Sequence, residues 1–398
     1  MIKGFSFSAV EAAIKKPGRT DLGLIHSAVP ASAVGFFTSN AIQAAPVKVS
    51  RTRLASGRLQ AVIVNSGNAN ACTGPQGLTH AEGMARIAAR GLGIDEELVA
   101  VCSTGVIGRP LPLDRIEAQG QTLVESLSPD GLDGLARAIM TTDTVPKTST
   151  VRMNLEGTEA VLTGVAKGSG MIHPMMEAAP QATMLVFLMT DAEVRPSALR
   201  EALDDVLPAS FHGITVDGDT STNDTLLFMA NGLAGGPAIE DFGSPGGSIF
   251  YGAVGKVCRD LARQLVADAE GGTKVVTIKA RGCGSEMEAD LVVMAVALSP
   301  LCKTAFFGAD PNWGRIICAA GYSGARVEED KVRIGFDEVV VFDKGRVADG
   351  ETLKRAEEIL KKPSFSVTID LNMGDSERDF TTSDLSTDYV RINAEYTT

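Results

Sequence analysis

The sequence predicts a layered α/β protein with more than one domain. Apolar runs of strand length, at residues 59–65, 97–103 and 274–280, alternate with longer segments of helical periodicity. The 398 residues exceed what one hydrophobic core usually supports. The 44% apolar content with 42 glycines is ordinary for a globular α/β chain. We therefore expect strands covered by helices in two or more domains.

Each element is predicted from its local pattern. Three segments repeat apolar residues near every 3.6 positions and are predicted helices: 78–91, 195–207 and 255–269. Residues 151–166 read as a β-hairpin that turns near Glu156 and Gly157. The last third combines a strand-rich segment, 331–347, with a charged helix, 351–362, and predicts a smaller C-terminal α/β domain.

Charge and composition argue against several classes of partner. A net charge of −12 and a pI of about 5.0 make nucleic acid an unsuitable partner, because binding phosphates needs clustered Lys and Arg. The start of the chain lacks a signal-peptide pattern, and no apolar run approaches bilayer length, so we expect a cytoplasmic protein without a membrane partner.

The cysteines and histidines predict neither a disulfide framework nor a metal site. The six cysteines include no C-x-x-C pair, and we expect buried, reduced thiols. The four histidines lack the H-E-x-x-H spacing of a zinc site. No metal ion and no cofactor are therefore expected.

Thr183 stands directly before the apolar run Met184–Met189, and two interpretations remain open. A β-branched residue at this position commonly just opens a buried strand. The alternative is a nucleophile whose own free α-amino group serves as base, which requires cleavage of the bond between Ala182 and Thr183.

Three further stretches contain groups suited to acyl transfer. A predicted strand ends in Thr104 and Gly105, which makes either an ordinary turn or an oxyanion hole, since a hydroxyl and a backbone N–H can both point at one oxygen. Lys167 is either a solvated loop lysine or the partner of a substrate carboxylate. Glu270 follows a predicted helix, where a carboxylate is disfavoured by the helix dipole unless it binds a cation.

An alternative function comes from the segment 214–225. Its Asp217, Asp219 and Thr220 form a D-x-D-T pattern that is similar to the nucleophile loop of haloacid-dehalogenase-like phosphatases. Two carboxylates at that spacing can hold Mg²⁺ while one of them attacks phosphorus. This interpretation predicts a magnesium-dependent phosphatase.

A series of motifs along almost the whole chain resembles the ArgJ family, the ornithine acetyltransferases or glutamate N-acetyltransferases of arginine biosynthesis. The motifs are VCSTGVIG (101–108), TTDT (141–144), AKGSGMIHP (166–174), ATMLVFLMTDA (182–192), VDGDTSTNDT (216–225), AEGGTK (269–274), GADPNWGRI (308–316) and VRINAEYTT (390–398). The segment 175–181 departs from the family pattern because it is longer than usual.

The resemblance implies a DmpA/ArgJ-like αββα sandwich, similar to the N-terminal-nucleophile hydrolases but connected differently. It implies self-cleavage between Ala182 and Thr183, and assembly of the two chains into an α₂β₂ heterotetramer. Residues 1–182 would form the α chain. Residues 183–398 would form the β chain, with the rest of the core at 183–280 and a C-terminal domain at 281–398.

Matched motif by motif, the resemblance implies Thr183 as nucleophile, with Thr104 and Gly105 as the oxyanion hole. The implied substrate-binding residues are Thr141, Lys167, Thr183, Glu270, Asn393 and Thr398. The implied reaction moves an acetyl group from N2-acetylornithine to glutamate, which releases ornithine and N-acetylglutamate. Whether acetyl-CoA also serves as an acetyl donor stays open.

Overall fold

The computed structural model describes residues 1–15, 17–173 and 184–395. These residues form two compact units. The first comprises Met1–His212 and Asp219–Leu265, and the second comprises Gly213–Gly218 and the described residues from Val266 onward.

Strands and helices alternate along the described residues. The strands are β1 (Phe5–Val10), β2 (Leu22–Phe37), β3 (Arg58–Asn68), β4 (Val99–Val106), β5 (Lys147–Leu155), β6 (Thr158–Lys167), β7 (Leu185–Thr190), β8 (Ile214–Thr215), β9 (Thr225–Ala230), β10 (Val275–Cys283), β11 (Arg333–Phe336), β12 (Val339–Asp343), β13 (Arg346–Val347), β14 (Ser364–Asp370) and β15 (Ser376–Ser383). The helices are α1 (Ala45–Arg53), α2 (Gly74–Leu92), α3 (Leu113–Glu125), α4 (Leu132–Ala138), α5 (Pro196–Val206), α6 (Pro245–Ala267), α7 (Glu286–Ala297), α8 (Pro300–Phe307), α9 (Trp313–Gly321), α10 (Gly350–Leu360) and α11 (Thr387–Glu395). The predicted α/β class is confirmed.

The first unit contains a mixed sheet with the strand order β4-β3-β2-β9-β7-β6-β5, and β1 pairs with β2 beside it. The pairs β3–β4 and β7–β9 are parallel, and the other pairs are antiparallel. The predicted hairpin is confirmed, since β5 and β6 turn at Glu156 and Gly157. Apolar residues of β2–β4 pack against α2 and α3 in one buried cluster.

Strands β7 and β9 lie side by side in the middle of this sheet. Every residue of both strands is buried, as expected for strands covered on both faces. In the parallel register Leu185 is opposite Thr225, and Lys167 of β6 is opposite Leu185 on the other side. The end of β6 and the starts of β7 and β9 therefore meet at one edge of the sheet.

The second unit contains a sheet with the order β13-β12-β11-β14-β10-β15-β8. Helices α7, α9 and α10 contribute to a single apolar cluster with its strands. Strand β10 lies inside the sheet between β14 and β15, with a register shift between Ala280 and Cys283. The division predicted at residue 281 falls within this strand, because the glycine-rich segment shifts the register of the strand instead of ending it.

Among the described residues, no single helix is long and apolar enough to cross a membrane, although α7 and α8, bent by 58° at their junction, pass that test as a pair by length and composition alone. In the same residues no group of three or more His, Cys, Asp or Glu side chains has an arrangement that could hold a metal ion. All six cysteines are free thiols, but Cys72 and Cys318 are exposed. The prediction that the thiols are buried is therefore wrong for these two.

Candidate active site

Lys167, the last residue of β6, is almost fully buried at the sheet edge where β7 begins. Its ammonium donates hydrogen bonds to Thr141 Oγ1, at 2.9 Å, and to Thr104 Oγ1, at 3.3 Å. The interpretation of Lys167 as a solvated loop lysine is therefore wrong. The two threonines come from segments 26 and 63 residues away from Lys167, so the fold is what assembles the cluster.

Asp143 balances the charge of this cluster. Its Oδ1 lies 2.7 Å from the ammonium of Lys147 and accepts the Gly168 N–H, while Oδ2 accepts the Thr141 N–H and lies 3.9 Å from Lys167 Nζ. Burial opposes ionisation of Asp143, but the positive charges of Lys167 and Lys147 and these hydrogen bonds hold its pKa below the ordinary value of an aspartate. The carboxylate of Asp143 thus lies beside the ammonium groups of both Lys147 and Lys167.

Gly105 follows Thr104 at the end of β4, where the backbone makes an unusual turn. Its φ is +130°, a conformation that residues with a Cβ rarely adopt. A Cβ at this position would lie 2.4 Å from the carbonyl carbon of Gly67 in the neighbouring strand β3. Any other residue would therefore displace β3 or turn the Gly105 N–H to another direction.

The Thr104 hydroxyl is oriented by its neighbour. An ammonium can only donate, so Thr104 Oγ1 is the acceptor in its contact with Lys167. The hydroxyl hydrogen of Thr104 remains available to point at another oxygen. Together with the Gly105 N–H, it provides the two kinds of donor that an oxyanion hole requires.

The start of β7 is held by Asp224, the residue before β9. Its Oδ1 accepts a short hydrogen bond from the N–H of Met184, and the Thr225 N–H donates to the Met184 carbonyl at 3.0 Å. Asn223 extends this link, because its amide donates to the carbonyl of Ser103, the residue before Thr104, at 2.9 Å. Met184, Asp224 and the end of β4 are thereby joined by hydrogen bonds.

Glu270 and Asn393 are brought together in the second unit. The Asn393 amide donates to Glu270 Oε2 at 2.9 Å and also to the Tyr389 carbonyl at 3.1 Å. Gly271 permits this approach, since its φ is +64° and a Cβ there would lie 2.4 Å from the Tyr389 nitrogen. Glu270 is partly buried and Asn393 is exposed.

The structure thus groups Thr104, Thr141 and Lys167 in one unit and pairs Glu270 with Asn393 in the other. Their roles in binding and catalysis stay predictions. Three residues predicted from the sequence lie outside the described residues: Ala182, Thr183 and Thr398.

Three charged residues at this sheet edge received no role from the sequence: Asp143, Lys147 and Asp224. Asp143 lies within the TTDT motif and Asp224 within VDGDTSTNDT, so each motif pointed to the region without identifying the carboxylate. The sequence held a signal for an ion pair between Asp143 and Lys147, because these residues of opposite charge are four positions apart. Their burial, however, depends on the sheet packed around them.

The fold and the cluster define an α/β protein whose buried hydroxyl, lysine and backbone N–H groups suit acyl-group chemistry. The model of the ArgJ family matches residues 6–398. This chain belongs to the ArgJ family.

Relatives match over the full length of the chain. The arginine biosynthesis bifunctional protein ArgJ of Geobacter sulfurreducens is 49% identical over 397 residues, covering 100% of both chains. That of Syntrophotalea carbinolica is also 49% identical over 397 residues, covering 100% of this chain and 99% of the relative.

Solved structures of similar proteins match part of the chain. An arginine biosynthesis bifunctional protein from Bacillus halodurans is 44% identical, with a TM-score of 0.42, and covers 44% of this chain and 92% of the solved chain. The ornithine acetyltransferase of Mycobacterium tuberculosis, complexed with ornithine, is 39% identical, with a TM-score of 0.40. The match covers 44% of this chain and 94% of the solved chain.

Proposed function

We propose that this chain transfers the acetyl group of N2-acetylornithine to glutamate, through an acetyl ester on Thr183. Membership of the ArgJ family supports the reaction class, since the relatives are named as arginine biosynthesis proteins. The structural observation that carries the proposal is the buried contact of Lys167 with Thr104 and Thr141 at the edge where β7 begins. Thr183 precedes that strand by two residues.

In the first half-reaction, the free α-amino group of Thr183 accepts the hydroxyl proton while Oγ attacks the acetyl carbonyl. The hydroxyl of Thr104 and the N–H of Gly105 donate to the oxyanion, a contribution of about 3 kcal/mol per donor in acyl-transfer enzymes. The α-amino group then passes its proton to the departing nitrogen. Ornithine leaves, and the acetyl group remains on Thr183.

In the second half-reaction, glutamate occupies the same pocket and its α-amine attacks the acetyl ester, which releases N-acetylglutamate. Both substrates carry an α-carboxylate, and the buried ammonium of Lys167 beside Thr104 and Thr141 is suited to pair with it. The side chains of the two substrates differ in charge. Glu270 and the carboxylate of Thr398 suit the ammonium of ornithine, whereas the Asn393 amide can donate or accept for either side chain.

The proposed nucleophile requires a cut between Ala182 and Thr183, because the nitrogen of an amide cannot act as a base. Residues 1–182 and 183–398 then form the α and β chains of an α₂β₂ heterotetramer. Acetyl-CoA is a second candidate donor, in keeping with the word bifunctional in the names of the relatives.

Two measurements on the purified protein test this proposal together. N-terminal sequencing and intact mass are expected to show one chain beginning at Met1 and another beginning at Thr183. An assay with N2-acetylornithine and glutamate is expected to yield ornithine and N-acetylglutamate, and replacing N2-acetylornithine by acetyl-CoA tests the second donor. An intact chain without transfer would mean that the protein has this fold but another role.

A further inference from the structure

Lys15 lies in the connection between β1 and β2, and its ammonium reaches a segment near the site. It donates hydrogen bonds to the carbonyls of Ala138, at 3.3 Å, and of Met140. Ala138 is the last residue of α4, and Met140 directly precedes Thr141. Lys15 therefore fixes the segment that leads from α4 to Thr141.

The backbone of Lys15 is itself held by Asp21, which is fully buried. The carboxylate of Asp21 accepts the backbone N–H groups of Ala12, Ile14 and Lys15, at 2.7, 2.6 and 2.8 Å. Hydrogen bonds from backbone N–H groups to an ionised carboxylate are stronger than those between neutral groups. The side chain of Lys15 thus extends from a fixed backbone.

Lys15 also contacts the end of β3, beside the proposed oxyanion hole. A Cβ on Gly67 would lie 2.6 Å from Lys15 Cγ and 3.3 Å from its backbone nitrogen. Gly67 is opposite Gly105 in the register of β3 and β4. The hydroxyl of Ser66 donates to the carbonyl of Ala138, which Lys15 also contacts. Lys15 therefore joins the end of α4 to the strand that lies next to Gly105.

The segment that Lys15 fixes places Thr141 in the site. Thr141 Oγ1 accepts a hydrogen bond from the ammonium of Lys167 at 2.9 Å, and the Thr141 N–H donates to Asp143 Oδ2 at 2.9 Å. A shift of this segment would move the Thr141 hydroxyl and leave the ammonium of Lys167 less ordered. Lys167 is the residue that the proposed function pairs with the substrate carboxylate.

We propose that Lys15 is a positioning residue of the acetyl-transfer site, an inference that rests on the proposed function. Its charged amine fixes the segment before Thr141 and thereby orders the ammonium of Lys167. N2-acetylornithine and glutamate share the α-carboxylate that this ammonium binds. The effect of Lys15 is therefore expected on the binding of both substrates.

Several charges act on the ammonium of Lys15. Burial lowers its pKa, and so do the positive charges of Lys167 and Arg19. Asp21 and Asp143 offset part of this effect, and the resulting pKa is about 8. Lys15 is therefore charged below about pH 8. It loses its charge at higher pH, where its hydrogen bonds to the two carbonyls weaken.

Replacing Lys15 by Met and by Arg separates the charged donor from the packing of the side chain. Met keeps an apolar stem and donates no hydrogen bond, whereas Arg keeps both the charge and the donors. Lys15→Met is expected to raise KM for both substrates about 10-fold at neutral pH, less than the ~100-fold that a misplacement of about 1 Å can cost. We expect a smaller change in kcat, and partial recovery of KM in Lys15→Arg.

The measurement is steady-state transfer by the folded, monodisperse protein from size-exclusion chromatography. A loss of folded protein alone would lower kcat and leave KM unchanged, so the rise in KM distinguishes positioning from a general structural role. The matched control is Arg115→Met. The guanidinium of Arg115 donates to the carbonyl of Ala13, in the same connection between β1 and β2. This variant is expected to leave KM for both substrates unchanged.

The pH dependence supplies a second readout that packing alone would not change. The ratio of KM in Lys15→Met to KM in the wild-type chain cancels the titration of groups that both proteins share. This ratio is expected to fall towards one as the pH rises through about 8, because the wild-type lysine then loses its charge. If Lys15→Met does not fold, Lys15→Arg serves instead. Its guanidinium stays charged, so its KM relative to the wild type is expected to fall over the same pH range.

An unchanged KM in Lys15→Met, an equal rise in Arg115→Met, or KM ratios that do not vary with pH would each overturn the assignment of Lys15. A wild-type chain that transfers no acetyl group would instead overturn the proposed function, together with the role of Lys15 in it. The two failures are therefore distinguishable.

Discussion

At the scale of single residues, the Thr104 hydroxyl is a donor whose direction Lys167 determines. We predict that Thr104→Ala lowers kcat by about 100-fold with little change in KM, because the lost hydrogen bond forms only in the transition state. Steady-state transfer from N2-acetylornithine to glutamate measures both constants. Thr142→Ala is the control, since the Thr142 hydroxyl is paired with Ser169 at 2.8 Å. A raised KM at unchanged kcat would make Thr104 a binding residue only.

Thr183 has two tasks in the proposed mechanism, and its variants separate them. We predict that Thr183→Ala gives a single folded, uncut and inactive chain, because both the nucleophile and the hydroxyl needed for cleavage are lost. Thr183→Ser keeps the hydroxyl and is expected to cut and to retain partial activity. Intact mass and the transfer assay measure the two effects. Acetyl transfer by Thr183→Ala would contradict the mechanism.

Asp143 has a structural effect that depends on pH. We predict that Asp143→Asn lowers the free energy of unfolding by about 3–5 kcal/mol at neutral pH, because the negative charge of Asp143 beside the buried ammonium groups of Lys147 and Lys167 is lost. The folded-state pKa of Asp143 is lowered, so its stabilisation is complete above the unfolded pKa of about 3.9 and is lost as the pH falls towards the folded value.

Denaturant unfolding of wild-type and variant protein between pH 3 and 7 tests this dependence. The difference between the two is expected to be constant above about pH 5 and to shrink at lower pH. Asp133→Asn serves as the control, because Asp133 forms an exposed pair with Arg137, at 2.9 Å, and is expected to contribute at most about 1 kcal/mol.

At the scale of elements, the position of α11 depends on Gly271. We predict that Gly271→Ala raises KM for N2-acetylornithine, because the added methyl group displaces the start of α11 and separates Asn393 from Glu270. Gly93→Ala is the matched control: its φ of +68° is nearly the same, but nothing lies within 4 Å of the added Cβ. The left-handed conformation is expected to cost both variants about 1–2 kcal/mol of stability. Gly271→Ala loses more because of its contact with Tyr389, and only Gly271→Ala is expected to change KM.

Elements were predictable from the sequence, whereas the contacts between them were not. The apolar run after Thr183 identifies β7, and the alternation around Glu156 identifies the β5–β6 hairpin, since each pattern is local. The contact of Lys167 with Thr104 joins residues 63 positions apart and depends on strand order and register. A hydrophobic pattern does not specify either, so the buried state of Lys167 was not predictable.

Asp224 received no role from the sequence because strand order and register, which a sequence pattern does not specify, decide which side chains come together. Its motif suggested a metal-binding phosphatase loop when taken alone, with Asp217 and Asp219 as the carboxylates of interest. In the structure Asp217 Oδ2 accepts a hydrogen bond from the Tyr389 hydroxyl at 3.3 Å, and Asp224 holds Met184. Only the fold distinguishes which carboxylate of an acidic motif faces the start of β7.

At the scale of the whole molecule, the proposed acetyl-transfer mechanism uses no metal ion in any step. We predict that dialysis against EDTA leaves the rate of transfer unchanged, and that added Mg²⁺ does not produce phosphatase activity. The phosphatase interpretation predicts the opposite, since its aspartates would act through the metal. Phosphate release that requires Mg²⁺ and is abolished by Asp217→Asn would reverse this conclusion.

The strand order of the first sheet determines what happens to the two products of a cut after Ala182. Residues 183–398 supply β7 and β9, and these two central strands lie between β2 and β6, which both belong to residues 1–182. Six residue pairs join β9 to β2, and six join β7 to β6. Strands of one product would therefore lie between strands of the other within one hydrogen-bonded sheet. The cut would create two new termini without releasing either chain. Separating the two chains would require breaking the backbone hydrogen bonds between β2 and β9 and those between β6 and β7.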